Sequence, residues 1–323
     1  MVFKNMKKVL VLGKVHNSGL EFLKKKSYEI LELSDQNDDY KKALHTIDAL
    51  ILKMTNVDNE FLNLASKLKV IARHGVGYNN VDLKSLNKKK IPLFITGDVN
   101  SDSVSEHTIG LILSIAKKIN IYDQEIRNNN FNIRNSFKSV DLNEKKILIF
   151  GYGRIGKKVA TICRFFNMQV YVYDKFIDNS EINKEFIAVN DLNENLEIYD
   201  YISLHIPFNS SDKPLIDKTF LNRLKKNCTL INTSRGDLID QQDLKMHLSN
   251  NPDFYAGLDV FNPEPPDLND EIFKYKNLVM TPHSAAYTEE CLKKMSLFCG
   301  ENIDNFFNNN FNKDLLINKE ILN

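Results

Sequence analysis

The sequence predicts an α/β protein built from two doubly wound parallel-sheet domains. Short apolar runs alternate with amphipathic helical patterns along the chain, and this alternation starts twice, at Lys8 and at Lys146. Such alternation favours parallel sheets with helices on both faces. With 323 residues, the chain is also longer than one hydrophobic core comfortably serves, so two domains are expected.

The first series begins with a buried strand at Lys8–Gly13 and an amphipathic helix at Leu20–Lys26. Further predicted strands and helices follow, with strands at Ala49–Leu52, Val70–Ala72 and Leu93–Ile95 and helices at Asn59–Ser66 and Leu83–Lys88.

A long helix is predicted at Ser103–Ile119. Its apolar residues surround most of its circumference, namely Val104, Ile109, Leu111, Ile112, Leu113, Ile115 and Ala116. A helix that is apolar all round must be buried on several sides. We infer a homodimer from this pattern, and the alternative is a central helix packed between two domains of one chain.

The second series predicts strands and helices in the same alternation. They lie at Lys146–Phe150, Ile155–Phe166, Gln169–Tyr173, Tyr201–Leu204, Thr229–Asn232, Ala256–Val260 and Leu278–Thr281. The last helix, at about Thr288–Phe307, follows the completed second sheet. We expect it to return to the first domain and to make that domain discontinuous.

The bulk composition excludes several classes of partner. The net charge of +1 gives no electrostatic reason to expect nucleic acid or a membrane surface. The four cysteines are scattered without a Cys-x-x-Cys pair, which predicts a cytoplasmic protein with reduced thiols and no metal site. The most apolar segment, Ile109–Ile121, is too short and too polar to cross a bilayer.

A glycine-rich turn follows the strand Lys146–Phe150. Three of the 12 glycines fall within the six residues Gly151-Tyr152-Gly153-Arg154-Ile155-Gly156, and a predicted helix follows them. Gly151 permits a tight turn, Gly153 lets the backbone approach a pyrophosphate, and Gly156 lets the helix sit close to the sheet. This pattern predicts a dinucleotide bound at the positive end of that helix.

Asp174 ends the next strand, 23 residues beyond Gly151. A carboxylate there accepts hydrogen bonds from an adenosine ribose and repels a 2′-phosphate, so the predicted cofactor is NAD rather than NADP. The neighbouring Lys175 slightly weakens this preference for NAD over NADP. The alternative is an aspartate that merely ends a strand.

Three later strand ends carry unusual polar groups. They are Ile231–Gly236 (INTSRG), Gly257–Pro265 (GLDVFNPEP) and Thr281–Ala285 (TPHSA). Ligands of open parallel sheets bind outside the carboxyl ends of the strands, so these segments are expected to converge beside the nicotinamide.

The three segments supply the groups that hydride transfer from a 2-hydroxy acid needs. A histidine such as His283 can take the hydroxyl proton near neutral pH. A carboxylate such as Glu264 can hold that histidine in one tautomer, and Arg235 offers a planar cation for a substrate carboxylate. Taken singly, the three residues could be a strand-end cap, a solvated loop acid and a surface ion pair.

The chain resembles the D-isomer-specific 2-hydroxyacid dehydrogenase family along nearly its whole length. The matching segments are GVGYNNVD at 75–82, SVSEHTIGLIL at 103–113, GYGRIG at 151–156, INTSRGDLID at 231–240, GLDVFNPEPP at 257–266 and TPHSA at 281–285. The resemblance implies a Rossmann NAD domain at 102–285, inserted into a flavodoxin-like substrate domain formed by 1–101 and 286–323. It also implies a dimer through the region of the 103–120 helix and an active site in the cleft between the domains.

The resemblance further implies roles for individual residues. The catalytic set is Arg235 for the substrate, Glu264 as the partner acid and His283 as the acid/base. The implied cofactor contacts are Gly151, Gly153, Arg154, Ile155, Gly156, Asp174, Ile206, Pro207, Thr233, Ser234, Asp259, Ser284 and Ala285, with Thr233 and Asp259 at the nicotinamide carboxamide. The implied substrate contacts are Lys53, His74, Gly75, Val76, Gly77 and Arg235, with the amides of Val76 and Gly77 at the substrate carboxylate.

The prediction of the substrate depends on Lys53. Lys53 stands where phosphoglycerate-oxidising members, which serve serine biosynthesis, have a basic residue for the phosphate, and we expect that substrate. A solvated strand-end lysine is the alternative for Lys53. Two other functions stay open, a hydroxypyruvate or glyoxylate reductase and an NAD-sensing binding protein like the corepressors that share this fold. We also expect no feedback inhibition by serine, because the chain has no room for the regulatory domain of some members.

Overall fold

The computed structural model describes residues 6–36, 38–136, 138–192, 194–208 and 212–322. The chain divides into two compact units. Unit 1 consists of residues 1–100 and 287–323, and unit 2 consists of residues 101–286.

Unit 1 is a parallel sheet with helices. Its elements are β1 (Lys8–Leu12), α1 (Asn17–Lys25), β2 (Glu29–Leu33), β3 (Ala49–Leu52), α2 (Asn59–Leu64), β4 (Val70–Arg73), α3 (Leu83–Lys88), β5 (Leu93–Phe94) and, as the last helix of the chain, α9 (Glu289–Phe307). Within the described residues, the five strands lie in the order β2-β1-β3-β4-β5 and are all parallel. This is the flavodoxin-like order.

The inner strands β1, β3 and β4 form because they are short apolar runs with partner strands on both sides. β3 is fully buried, as is β1 from Val9 to Leu12. Aspartates cap the helices α2 and α3, since Asp58 and Asp82 accept hydrogen bonds from the amides of Phe61 and Ser85. The edge strand β2 was not predicted, because two glutamates interrupt its sequence EILEL, which therefore lacks a long apolar run.

Helix α9 belongs to unit 1 and packs against α1 and β4. The contact with α1 is so close that a Cβ on Gly19 would overlap the backbone of Ser296. The Ser296 hydroxyl accepts the Gly19 amide and donates to the carbonyl of His16. Cys299 and Ile303 of α9 share a buried cluster with β1, β3 and β4.

Unit 2 contains the second sheet. Its elements are α4 (Ser101–Ala116), α5 (Ile119–Arg127), β6 (Lys146–Phe150), α6 (Arg154–Phe165), β7 (Gln169–Tyr173), β8 (Ile187–Ala188), β9 (Tyr201–Leu204), α7 (Lys218–Leu221), β10 (Thr229–Asn232), α8 (Gln241–Asn250), β11 (Tyr255–Leu258) and β12 (Leu278–Met280). In the part of the chain described, seven parallel strands lie in the order β12-β11-β10-β9-β6-β7-β8. The order reverses between β6 and β9, as in Rossmann folds. The predicted fold class, with two doubly wound parallel sheets, is confirmed.

The predicted helix Ser103–Ile119 is wrong at its end. Helix α4 stops at Ala116, and Lys118 takes a left-handed conformation with φ of 55° before α5 begins. The apolar residues of α4 are buried within unit 2, against α6 and strands β10 to β12. The all-round apolar pattern is thus explained within one chain, and the homodimer stays a prediction.

No helix in the described ranges is long and apolar enough to cross a membrane. Over those same residues, no group of three or more His, Cys, Asp and Glu side chains is arranged to hold a metal ion.

Candidate active site

The glycine turn of unit 2 connects β6 to α6 at the point where the strand order reverses. Gly151 has a φ of 92°, and a Cβ on it would lie 2.5 Å from the carbonyl oxygen of His205. A Cβ on Gly156 would overlap the carbonyl of Gly151, whereas a Cβ on Gly153 would have no protein atom within 4 Å. Gly151 and Gly156 are therefore required by packing, and Gly153 leaves open space over the first turn of α6.

The N-terminus of α6 faces this turn. The helix begins at Arg154 with Gly153 as its N-cap, so no side chain of the cap residue covers the first-turn amides. These amides and the helix dipole favour an anionic group here. Ile206 lies beside the turn, since its Cγ2 is 2.7 Å from the position of a Cβ on Gly151, and Pro207 follows it.

Asp174 is held against the turn by two backbone amides. Its Oδ2 accepts the amide of Tyr152 and its Oδ1 accepts the amide of Phe176, each at 2.8 Å. Each carboxylate oxygen has two acceptor positions, so each can also accept a hydroxyl. A strand-ending aspartate anchored in this way can bind a ribose.

The segment after β10 is organised by Asn232, which is fully buried. Its Oδ1 accepts the amide (3.0 Å) and hydroxyl (2.8 Å) of Ser234, and its Nδ2 donates to the carbonyl of Arg235 at 2.7 Å. The hydroxyls of Thr233 and Thr108 are 2.9 Å apart, which ties this segment to α4. Sequence reasoning missed Asn232 and Thr108, because neither carries chemistry of its own.

Arg235 is half-buried in the same segment. Its Nη1 donates to the carbonyl of Ser234 at 2.6 Å. Burial lowers the pKa of the Arg235 guanidinium, and the nearby carboxylates of Glu264 and Asp237 act to raise it. Because arginine keeps its proton in proteins, Arg235 is a desolvated cation beside Glu264.

Glu264 and His283 form a hydrogen-bonded pair, with Nδ1 of His283 2.7 Å from Oε2 of Glu264. The other oxygen of Glu264 accepts the amide of Phe261 at 2.9 Å. Burial raises the pKa of the Glu264 carboxyl, but the hydrogen bonds from His283 and Phe261 and the charge of Arg235 outweigh burial and hold it below its usual value.

Because an ionised Glu264 only accepts hydrogen bonds, His283 must donate from Nδ1. The Nε2 of His283 is then the nitrogen available for proton exchange. The His283 side chain is 47% exposed, so this nitrogen is open to a ligand.

Asp259 shapes the loop that carries His283. The Asp259 side chain is 1% exposed, and its Oδ1 accepts the Thr281 hydroxyl (2.6 Å) and the Ser284 amide (2.8 Å). Its Oδ2 accepts the Ala285 amide at 2.9 Å, and its carbonyl accepts the His283 amide at 2.7 Å. His283 is held in a left-handed conformation with φ of 51°. Sequence reasoning gave Asp259, Ser284 and Ala285 to the cofactor, and here the amides of Ser284 and Ala285 donate to the Asp259 carboxylate.

His107 on α4 extends this network and was also missed. Its Nε2 is 2.9 Å from the Thr281 hydroxyl and 3.6 Å from Oδ1 of Asp259. Because Thr281 gives its only hydroxyl proton to the Asp259 carboxylate, it must accept from His107, whose Nε2 therefore carries a proton. The sequence signal that could have identified His107 is a polar side chain on a helix that packs against buried strand ends.

Apart from Arg235, the predicted substrate residues lie in unit 1, after β3 and β4. Lys53 donates from Nζ to the carbonyl of Lys14 at 3.1 Å, and its Nζ is 5.4 Å from the ring centre of Tyr287. His74, Gly75, Val76 and Gly77 form a loop in which Gly75 has a φ of 135°. A left-handed residue with this φ favours glycine.

His74 is buried, with 6% of its surface exposed, and no group in the described residues hydrogen-bonds its Nε2. Burial, with the charges of Lys53 and Arg73, lowers the pKa of His74 to about 4. In the unfolded chain, histidine has a pKa of about 6.5. At a pH between these two pKa values, the unfolded chain binds a proton on His74 and the folded chain does not. The free energy of unfolding therefore falls as the pH is lowered.

We expect His74 alone to lower the free energy of unfolding by about 2 kcal/mol at pH 5 relative to neutral pH. Urea unfolding at both pH values should show a loss in His74→Phe that is smaller than the wild-type loss by about this amount, because burial also lowers the pKa of His205, whose contribution remains. His45→Gln, which alters an exposed histidine of unit 1, should keep the wild-type pH dependence. Identical acid sensitivity of His74→Phe and the wild type would contradict the assignment.

The family model and the relatives named below, to which this chain is similar, are all dehydrogenases or reductases. Residues 109–285 match a family model described as "D-isomer specific 2-hydroxyacid dehydrogenase, NAD binding domain". The glyoxylate reductase of Thermococcus litoralis is 31% identical, and the alignment covers 98% of both chains. A crystal structure of the NAD-dependent formate dehydrogenase from Staphylococcus aureus in complex with NAD aligns with a TM-score of 0.86 and 26% identity, over 96% of this chain and 98% of that one.

The D-3-phosphoglycerate dehydrogenase of Methanocaldococcus jannaschii is also 31% identical, over 92% of this chain. The match covers 57% of that relative's length, and the same share of the phosphoglycerate dehydrogenases of Bacillus subtilis and Archaeoglobus fulgidus, so the chain spans little more than half of these three relatives.

Proposed function

We propose, from the premise that this chain belongs to the D-isomer-specific 2-hydroxyacid dehydrogenase family, that it interconverts a D-2-hydroxy acid and its 2-keto acid with NAD. Residues 109–285 match the model of the NAD-binding domain of this family. The observation that carries the proposal is the Glu264–His283 pair beside the half-buried Arg235, on loops at the carboxyl ends of the strands of that domain. Ligands of this sheet type bind at that edge.

The residues of unit 2 fit an NAD molecule. The open space at Gly153 and the N-terminus of α6 suit the pyrophosphate, and Asp174 suits the adenosine ribose. We propose that Arg154, Ile155, Ile206, Pro207, Thr233 and Ser234 complete this site. When bound, NAD supplies or accepts the hydride.

His283 is proposed to hold the proton. Its Nε2 takes the hydroxyl proton as a hydroxy acid is oxidised and returns it as a keto acid is reduced. The Glu264 carboxylate fixes Nδ1 as a donor and stabilises the imidazolium that forms. Arg235 holds the substrate carboxylate and polarises the keto oxygen, while Asp259 keeps the His283 loop in place.

A Gly153→Ala variant tests the pyrophosphate assignment. Because a Cβ at this position would have no protein atom within 4 Å, we expect a melting temperature within about 2 °C of the wild type. The Kd for NADH should rise about tenfold or more, because the methyl group occupies the space assigned to the ligand. Fluorescence titration with NADH measures the Kd, and a thermal melt measures the melting temperature.

Gly156→Ala is the matched control, because its Cβ would overlap the carbonyl of Gly151 and should lower stability and NADH binding together. Undiminished NADH affinity in Gly153→Ala would place the pyrophosphate elsewhere.

For the substrate we propose D-3-phosphoglycerate, with Lys53 as the residue that binds its phosphate. The supporting observation is an ammonium group at the carboxyl end of β3, next to the position where the strand order of unit 1 reverses. Reduction of unphosphorylated hydroxypyruvate or glyoxylate is the second candidate, since a glyoxylate reductase is as similar to this chain as a phosphoglycerate dehydrogenase.

NADH oxidation with phosphohydroxypyruvate, hydroxypyruvate and glyoxylate in parallel separates these functions. A Lys53→Ala variant should lose kcat/KM for the phosphorylated substrate alone, by about tenfold or more. Lys69→Ala, an exposed lysine of unit 1, should match the wild type on all three. Equal losses on every substrate would remove Lys53 as a phosphate ligand, and no turnover of any keto acid would favour an NAD-sensing binding protein.

We also propose a cytoplasmic homodimer. The free cysteines are buried, which suits a reducing compartment. Beyond α4, exposed apolar side chains at Ile119 (52%), Ile126 (50%) and Phe131 (64%) offer surface for a second copy. Light scattering of the purified protein measures the mass, and a monomer at micromolar concentration would contradict the dimer.

A further inference from the structure

We infer that Arg73 is a positioning residue, which holds the amides of Val76 and Gly77 in the orientation that binds a substrate carboxylate. This inference rests on the proposed function, because it names what builds that binding loop. Arg73 ends β4 and immediately precedes the loop.

The Arg73 side chain binds backbone carbonyls on both sides of the loop. Its Nε donates to the carbonyl of Gly77 at 2.7 Å, and its Nη1 donates to the carbonyls of His74 at 2.8 Å and Leu52 at 3.2 Å. One guanidinium thus ties the beginning and the end of the loop to the carboxyl end of β3.

These bonds determine which way the peptide groups of the loop point. The carbonyls of His74 and Gly77 are turned toward Arg73, and the carbonyl of Gly75 accepts the amide of Thr96 at 3.1 Å. Within the described residues, the amides of Val76 and Gly77 donate to no protein acceptor. Each carbonyl shares a peptide plane with the amide of the next residue, so the Gly75 carbonyl sets the direction of the Val76 amide, and Arg73 fixes the peptide groups on either side of the Val76 and Gly77 amides. Two successive amides without a protein acceptor can form an anion-binding nest.

A lysine cannot replace this arginine. The planar guanidinium offers five donors in fixed directions, so it can hold several carbonyls at once, whereas an ammonium on a flexible stem cannot. The chain prefers lysine, since only seven of its 43 basic residues are arginine, and Arg73 is the single arginine in the sequence of unit 1. Arg73 also places a fixed positive charge beneath the loop, where the neighbouring His74 is neutral near pH 7.

The test compares Arg73→Lys and Arg73→Gln with the wild-type protein, using oxamate as a carboxylate probe. The oxamate Kd of the enzyme–NADH complex should rise about tenfold or more in both variants, including the one that keeps the charge. The KM for any 2-keto acid turned over should rise by the same factor, with kcat within about threefold. The Kd for NADH should not change, because the cofactor residues belong to unit 2.

Asn318→Ala is the control for a loss of stability alone. Asn318 is a buried side chain of unit 1 that accepts the Leu93 amide and donates to the Ile91 carbonyl without touching the loop. It should lower the melting temperature and leave the oxamate Kd at the wild-type value. Should Arg73→Gln not fold, Arg73→Lys decides the test.

Wild-type oxamate affinity in Arg73→Lys, or no oxamate binding by the wild type, overturns the inference. Weakened oxamate binding in the variants of a protein that turns over no 2-keto acid would overturn the proposed function and leave the inference standing. Normal turnover by the wild type, with unchanged KM in the Arg73 variants, would overturn the inference and leave the proposed function standing.

Discussion

Replacing His283 by asparagine is expected to lower kcat by about 10²–10⁴-fold, the usual contribution of general acid–base catalysis. The Nε2 proton acceptor is lost, while the Glu264 carboxylate can still accept a hydrogen bond from the asparagine amide. Asparagine is the suitable replacement, because it tolerates left-handed backbone and His283 has a φ of 51°. The Asp259 hydrogen bonds to the loop use backbone amides and survive the substitution.

The measurement is steady-state NADH oxidation with the best keto acid, together with the Kd for NADH from fluorescence. The Kd should stay within about twofold of the wild type, so that the loss is confined to the chemical step. His247→Asn alters a histidine of α8 whose ring packs on Phe254, and this variant should keep the wild-type kcat. A His283→Asn enzyme with kcat within tenfold of the wild type would remove His283 from the acid/base role.

The second large effect is expected from Arg235→Gln, which should lower kcat/KM by about 10²–10⁴-fold. Truncating one partner of a hydrogen-bonded charge pair between a protein and its ligand costs about 2–5 kcal/mol, and each 1.4 kcal/mol is a factor of ten. The variant loses the cation for the substrate carboxylate and leaves the half-buried Glu264 without its neutralising neighbour. Arg235→Lys should recover part of the loss, because it keeps the charge and loses the planar fork.

The effect of Arg235→Gln should fall mainly on kcat/KM for the keto acid and not on NADH affinity. Arg164→Gln, which changes an exposed arginine near the end of α6, serves as the control and should match the wild type. An Arg235→Gln enzyme that keeps kcat/KM within tenfold of the wild type would exclude a substrate contact.

The sequence predicted those elements that are continuous apolar runs or strongly periodic helices. Strands such as β3, β6 and β9 agree with their predicted bounds, because buried parallel strands are apolar on both faces. The edge strand β2 and the break at Lys118 were not predicted. The pairing of β2 depends on its neighbour β1, and a left-handed lysine leaves no signature in the residue pattern.

The same division applies to the candidate site. Arg235, Glu264 and His283 could be chosen from the sequence because their side chains have chemistry that the reaction needs. The contacts of Asp259, Asn232 and Arg73 could not be chosen, because they are hydrogen bonds to backbone groups whose directions exist only in the folded chain. The protonated nitrogen of His107 likewise follows from the geometry of three side chains and not from their identities.

The return of α9 to unit 1 has a consequence for the order in which a newly made chain acquires its structure. Residues 1–100 leave the ribosome first, yet their buried cluster includes Cys299 and Ile303, and Phe94 of β5 pairs with Leu316. Until those last residues are synthesised, the surface of α1 around Gly19 has no partner, while residues 101–286 already contain every strand of their own sheet. Domains generally fold as units during synthesis, so the middle of the chain is expected to fold before its beginning.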